Sequence, residues 1–392
     1  MEAATPLPFS IVAGGPIYRF ARLFALARGP HRLLMLGTFF ALVTWGPLFV
    51  LSAVENHLLR NAAIPFLADI SSQARFLVAL PLLFAAEGWI DPRLAVFVRQ
   101  VIDTRLVLPA ERPAFDSAVG AVARLRDSWL VEAILLAVVV TSAATFKTEI
   151  DLTGNISSWR EVTVESATVL TLAGWWYTAV ALPIFQFLLL RWGWRIVIWS
   201  AFLWRLSRLH LQLIPTHPDM AGGLGSLGTA QSSFSLLSFA VSVPLAGVLA
   251  EKMLFAGAGL KELEASIFGI ALINLFIFVV PMLFFSLQLF AAKRQGLREY
   301  GVFAAAYTRG FYAKWLRHET TQEALLGTPD IQSLSDLANS FWIVQRMRVV
   351  PFGRGLIVTM LAATLAPMLP LLTLAFPIEQ LMERALRLVF GL

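Results

Sequence analysis

The sequence predicts an all-α fold: a polytopic transmembrane bundle of about seven spans, with helical segments on its cytoplasmic side. Three observations carry this. Hydrophobic residues make up 58% of the 392 and charged residues 14%, with a mean hydropathy of +0.72. A water-facing domain carries about 25% charged residues, so this chain has too few to cover a solvated surface. Apolar runs recur near the roughly 20 residues that a spanning helix needs, and Lys and Arg alternate between the segments that join them.

The runs fall at Leu33–Val54, Ala74–Trp89, Trp129–Phe146, Ala167–Leu190, Ser232–Ala250, Ile267–Ala291 and Gly355–Phe376. The first is too long for a signal-peptide core. The second is short and extends outward through Ile70. The stretch Gly193–Trp204 is apolar but brief and contains Arg195. It reads as a protruding end of the fourth helix or an interfacial segment. With the N-terminus inside, segments 1–32, 91–127, 191–222 and 293–354 hold 23 Lys+Arg against 12 Asp+Glu. Segments 55–75, 147–166, 251–265 and 377–392 hold 8 against 11. This asymmetry predicts a multi-pass membrane protein with a cytoplasmic N-terminus and an external C-terminus, its basic face toward anionic lipids. The lipid bilayer is the expected partner. Self-association is compatible with such a bundle, and the net charge of +6 does not call for nucleic acid.

Between the spans, residues Pro16–Arg28 read as a short amphipathic helix on the inner leaflet. Asp91–Asp127 is helical in pattern, with a break from Pro109 to Pro113. The segment 293–350 reads as a long helix through Leu316, continuous with the sixth span. A Gly327-Thr328-Pro329-Asp330 turn and a second helix from Ile331 to about Val349 follow. Thr328 before Pro329 fits an N-cap followed by proline at the first helical position. The stretch 378–392 has apolar residues at helical spacing and reads as an amphipathic helix on the outer face.

The strongest local feature runs from Pro215 to Gly228 and combines His217, Asp219, Gly222, Gly223 and Gly225 just before the fifth span. With Arg205 and Arg208 it could hold a cation, relay a proton or fix an anion. The plainer reading is a structured loop in which Asp219 bonds backbone N–H groups. Gly223 to Gly228 matches a G-x-G-x-x-G string, but no strand or βαβ unit surrounds it, which excludes a dinucleotide site. Glu87 and Glu132 sit near the cytoplasmic ends of their spans. Ionisable groups in a span mark ion or proton paths by default, while an interfacial position lets them reach water instead. Asp69 and Arg75 bracket the outer end of the second helix, and Glu251-Lys252 reads as a boundary pair. Trp175-Trp176-Tyr177 lies toward the middle of the fourth span. Asn274, Gln186 and Gln288 suit hydrogen bonds between helices. Prolines 47, 81, 183, 244, 281, 367 and 370 lie within spans.

There is no Cys, which excludes disulfides, iron–sulfur clusters and a Cys nucleophile. No P-loop, G-x-S-x-G or H-E-x-x-H string is present, and no cofactor is expected. The stretch Ile214–Gly228, with Gly327–Phe341 and Met347-Arg348-Val349-Val350-Pro351-Phe352, resembles a family of bacterial polytopic membrane proteins that carries no assigned activity. The resemblance implies source and architecture, and points to these segments as ones that could meet. Three functions compete: a transporter or channel for a small solute or ion, which requires a polar cavity reaching mid-membrane; a membrane enzyme on a lipid or prenyl-phosphate substrate, which requires His217 and the arginines to converge in a pocket at the inner leaflet; and a non-catalytic assembly factor, sensor or subunit, which requires an exposed apolar patch on the cytoplasmic segments.

Overall fold

The computed structural model describes residues 9–14, 30–60, 62–145, 158–164, 167–317 and 327–376. Pro16–Arg28 and 378–392 lie outside these residues. The described chain runs α1 (Pro30–Val54), α2 (Ile70–Asp103), α3 (Arg112–Arg126), α4 (Trp129–Thr145), a hairpin of β1 (Glu161–Val164) and β2 (Ala167–Leu170), then α5 (Leu172–Leu206), α6 (Ser226–Phe255), α7 (Leu260–Leu316), α8 (Asp330–Arg346), α9 (Arg354–Met368) and α10 (Pro370–Ala375). Five helices, α1, α2, α5, α6 and α7, are long and apolar enough to cross a membrane, where the sequence suggested about seven. The other two expected spans are the 17-residue α4 and the short α9, which breaks at a 3-10 turn before Pro370.

Several expected boundaries move. The helix of the second expected span runs on past Trp89 to Asp103, with Pro92 inside it, and so joins the helical segment expected from Asp91. Residues 167–170 of the expected fourth span are a strand paired antiparallel with β1, Glu161 opposite Leu170. Thr171 then caps α5, its side chain accepting the Gly174 N–H at 2.9 Å. Gly193–Trp204 belongs to α5 without interruption, as the end of the helix of the fourth expected span. Trp175–Tyr177 therefore lies at the start of α5, not its middle. Pro329, not Thr328, occupies the position before α8, and no side chain caps that helix.

Proline explains the irregular turns. It lacks an N–H and crowds the carbonyl four residues back, so the ladder just upstream must re-pair. Both Ala79-Leu80-Pro81 and Ala181-Leu182-Pro183 end a π-helical turn, Ala74–Ala79 in α2 and Tyr177–Ala181 in α5. Pro281 and Pro367 sit in 3-10 turns.

The bundle centres on α6, 61% of whose apolar window is buried against 28% for α1 and α7. The outward residues Phe39 and Leu42 of α1 and Phe268, Ile273 and Phe276 of α7 are exposed, as a lipid-facing surface requires. Between helices, the three amides act as bridges. Gln186 accepts from Ser142 at 2.9 Å, Asn274 accepts from Ser238 at 2.8 Å, and Gln288 donates to the Ser207 and Leu209 carbonyls at 2.8 Å each.

Distant segments gather in two groups. Val107 bridges Leu211, the Gln212 N–H donates to the Leu106 carbonyl at 2.8 Å, and Ser10-Ile11 docks on Asp91. Separately, Ile64 bridges Ser158, and the Glu55 carboxylate accepts the Leu172 N–H at 2.9 Å. The first group joins segments that charge assigns to the cytoplasm; the second joins the far-side segments 55–75 and 147–166 and reaches Leu172 at the start of α5. Beyond the bundle, the tip of α7 holds α8: Lys314 and Trp315 both reach the Asp330 carboxylate at 2.9 Å.

Candidate functional site

The His217 loop is built around one carboxylate. Asp219 Oδ1 accepts the Ala221 N–H at 2.8 Å, Oδ2 accepts the Gly225 N–H at 2.7 Å, and the Gly223 N–H lies 3.1–3.2 Å from both. His217 Nδ1 is 2.8 Å from Oδ1. Gly222 and Gly223 take φ of +65° and +98°, a region open to glycine, which lets successive N–H groups turn toward the carboxylate. Burial alone would raise the Asp219 carboxyl, but the three backbone N–H groups and His217 hold it below the usual carboxylate range. The loop is clamped from the other side by Arg348, whose Nη2 donates to the Asp219 carbonyl and whose N–H donates to the Met220 carbonyl, each at 2.7 Å. The loop thus meets the segment 347–352, the third of those that carry the resemblance. Asp219 spends its lone pairs on the backbone. Among the described residues, no hydrogen bond or ion pair joins His217 or Asp219 to Arg205 or Arg208, and Arg208 lies over the Trp204 ring at 5.3 Å.

A carboxyl whose pKa is lowered on folding adds stability above its ordinary pKa, near 4, and that stability drains as the pH falls below it. The Ala221, Gly223 and Gly225 amides are accordingly expected to lose hydrogen-exchange protection, relative to their intrinsic rates, below about pH 4. Asp219→Ala should remove that protection at neutral pH as well. Unchanged protection in the variant would rule out the carboxylate as the loop's anchor.

Glu87 and Glu132 converge on other arginines. Arg195 of α5 donates from Nη1 to Glu87 Oε1 at 2.8 Å, with side chains only 4% and 6% exposed. The Arg195 guanidinium also lies over the Trp192 ring at 4.8 Å, and its Nη2 has no partner. One turn beyond Glu87 on α2, Asp91 accepts from Ser10 Oγ at 2.6 Å and from the Ile11 N–H at 2.8 Å. One turn before Arg195, Arg191 stands in the field of Glu87 and Glu132. Arg126 grips Asp127 through Nε and Nη2 at 2.8 and 3.0 Å and donates to the Ser10 carbonyl at 2.9 Å. Between these groups lies a cavity of about 20 Å³, lined in part by Arg126, Ser128, Glu132, Arg191, Trp194 and Arg195. That is room for about one water molecule.

A second cluster joins α2, the hairpin, α5 and α6. Asp69 caps α2, Oδ1 accepting the Ser72 N–H at 2.7 Å. Its Oδ2 accepts from Trp159 Nε1 at 2.8 Å, Arg160 Nη2 at 2.7 Å and Ser72 Oγ at 2.9 Å. Burial would raise this carboxyl, but the Arg160 charge and these donors hold it far below the usual range. Glu251 accepts the Ser71 N–H at 2.6 Å. The approach depends on Gly247, where a Cβ would come within 2.8 Å of Ser71 Cα. Arg75 bonds the Tyr177 hydroxyl, and Arg160 lies over the Tyr177 ring at 4.2 Å.

Sequence reading singled out Glu87 and Glu132 but not their partners. A signal was present: Glu87 with Asp91, and Arg191 with Arg195, each stand four residues apart and so form matching acidic and basic stripes. Trp159 and Arg160 carried none, because their partners lie about 90 residues away. Among the described residues no group of three or more His, Cys, Asp and Glu side chains is placed to hold a metal ion. Comparison of the chain with protein-family models, curated proteins and solved structures finds no match. Fold and clusters together define an all-α protein with membrane-spanning helices and paired charges buried between them.

Proposed function

We propose that the chain is a seven-crossing protein of a bacterial inner membrane, N-terminus inside, that conducts or transports a small ion or solute. The buried Glu87–Arg195 pair, beside a cavity of about 20 Å³, is the observation that carries this reading. Ionisable groups buried between spanning helices are costly, and in membrane bundles they mark ion paths by default. The alternation of sides draws support from the two groups of contacts, and the orientation from the excess of Lys and Arg on one side. Seven crossings require α4 and α9 to span by thinning the bilayer or by snorkelling of their ends.

The test is flux. Protein reconstituted into liposomes is expected to pass protons, followed with an internal pH dye, or K⁺, Na⁺, Cl⁻ or phosphate, followed with ion-selective electrodes. Glu87→Gln should cut the rate at least about tenfold, as loss of one charge-assisted contact implies. Flux no greater than in protein-free vesicles for all five ions would overturn the reading.

One observation favours a second reading, a non-catalytic membrane subunit. Val302, Phe303, Tyr312, Leu316, Ile331 and Trp342 are exposed on the α7–α8 arm, well past the polar start of that arm at Lys293. If Phe303→Glu changes the mass of the particle measured by light scattering while flux is nil, this reading replaces the first.

A further inference from the structure

We propose that the cavity bounded by Arg126, Ser128, Arg191 and Arg195 binds a phosphate oxyanion at the membrane interface. The inference rests on the membrane reading above but not on flux. Three guanidinium groups, those of Arg126, Arg191 and Arg195, and one carboxylate, Glu132, line the cavity. Asp127 and Glu87 stand behind Arg126 and Arg195 and fix their orientation. Arg191 lines the cavity, is half-buried, and among the described residues its side chain has no hydrogen bond or ion pair. A half-buried guanidinium left unpaired is costly, and a bound oxygen would satisfy it.

Two further features favour phosphate. Ser128 immediately precedes α4, whose N-terminal N–H groups add positive potential and donors on the same side. The volume admits one oxygen-sized atom, so most of the anion must remain at the mouth. Trp129 next to Ser128, and Trp89 on α2, are exposed, as tryptophans are at headgroup depth. A tetrahedral phosphate capping the cavity satisfies all of this, whether it belongs to a lipid headgroup or is free.

The experiment uses the full chain in maltoside micelles. Binding of inorganic phosphate and of short-chain phosphatidylglycerol is measured by calorimetry and by the shift in melting temperature. Saturable binding of at least one is expected, weakened about tenfold or more in Arg191→Gln, the loss expected of one charge-assisted contact. Arg208→Gln, two residues past the end of α5 and outside the cavity, should bind as the parent does. Binding of phosphatidylglycerol alone identifies a lipid headgroup, and binding of inorganic phosphate identifies a free anion. Arg191→Lys keeps the charge but loses the planar fork. It should bind more weakly than the parent, and serves if the Gln variant does not fold. No saturable binding of either probe, or binding that both Arg191 variants leave unchanged, overturns the proposal. Binding without flux would uphold the site and reject transport.

Discussion

Arg195→Met is expected to destabilise the protein by about 3–5 kcal/mol, because it strands Glu87 as a buried charge without its partner. Glu87→Leu should cost a similar amount by stranding Arg195. The double variant Glu87→Leu/Arg195→Met should be milder than either single one, since two apolar side chains of similar volume need no partners. Unfolding in mixed dodecyl sulfate–maltoside micelles measures all three. If the single changes cost less than about 1 kcal/mol, the range typical of exposed ion pairs, the pair is hydrated and the path that it marks is wide open to water. If the double variant is stable yet passes no ions, the charges serve function at the expense of stability, a pattern common where ionisable groups lie inside a membrane.

The second large effect is expected at Asp69. One carboxylate there caps α2 and holds Trp159 and Arg160 against the bundle. Asp69→Ala removes a helix cap, worth about 1 kcal/mol. It also leaves a partly buried guanidinium without its anion, which brings the expected total to about 3–5 kcal/mol. Asp69→Asn should lie between, because an amide oxygen can still accept the Ser72 N–H. Hydrogen exchange separates the two contributions. In both variants the Thr171 and Trp159 amides should open, whereas the first turn of α2 should open fully only with alanine. An Asp69→Ala protein that melts like the parent would mean that the hairpin is held by apolar packing of Trp159 alone.

The parts legible in the sequence were those governed by one-dimensional chemistry. The first span could be bounded because Leu33 to Val54 carries no charge, and α7 could be followed to Leu316 because its apolar stripe persists after the polar residues begin. Glu87 stood out because a carboxylate in an apolar run is conspicuous. The continuity of α2 was not legible because the apolar run gives way to charge at Asp91, which reads as the end of a span; the helix crosses that point with Pro92 inside it. Arg195 was weighed against a span when it is the feature that pairs with one. Thr171 and the strand before it were absorbed into an apolar run because Ala-Thr-Val-Leu fits either structure. Asp69, Trp159, Arg160 and Glu251 come together only through the tertiary fold, and no local spacing announces them.

One consequence follows from the length of α7. Past the 3-10 turn Val280–Phe285 it continues as the regular helix Ser286–Phe311, 26 residues or about 39 Å at the rise of an α-helix. A rotation of about 10° at that turn therefore moves the far end by about 7 Å. The tip grips the start of α8, and the chain just past α8 grips the Asp219 loop at the foot of α6 through Arg348. The arrangement is a closed linkage with a lever for one side. A shift at membrane depth no larger than a rotamer change is magnified at the tip, then returned along α8 to the base of the central helix.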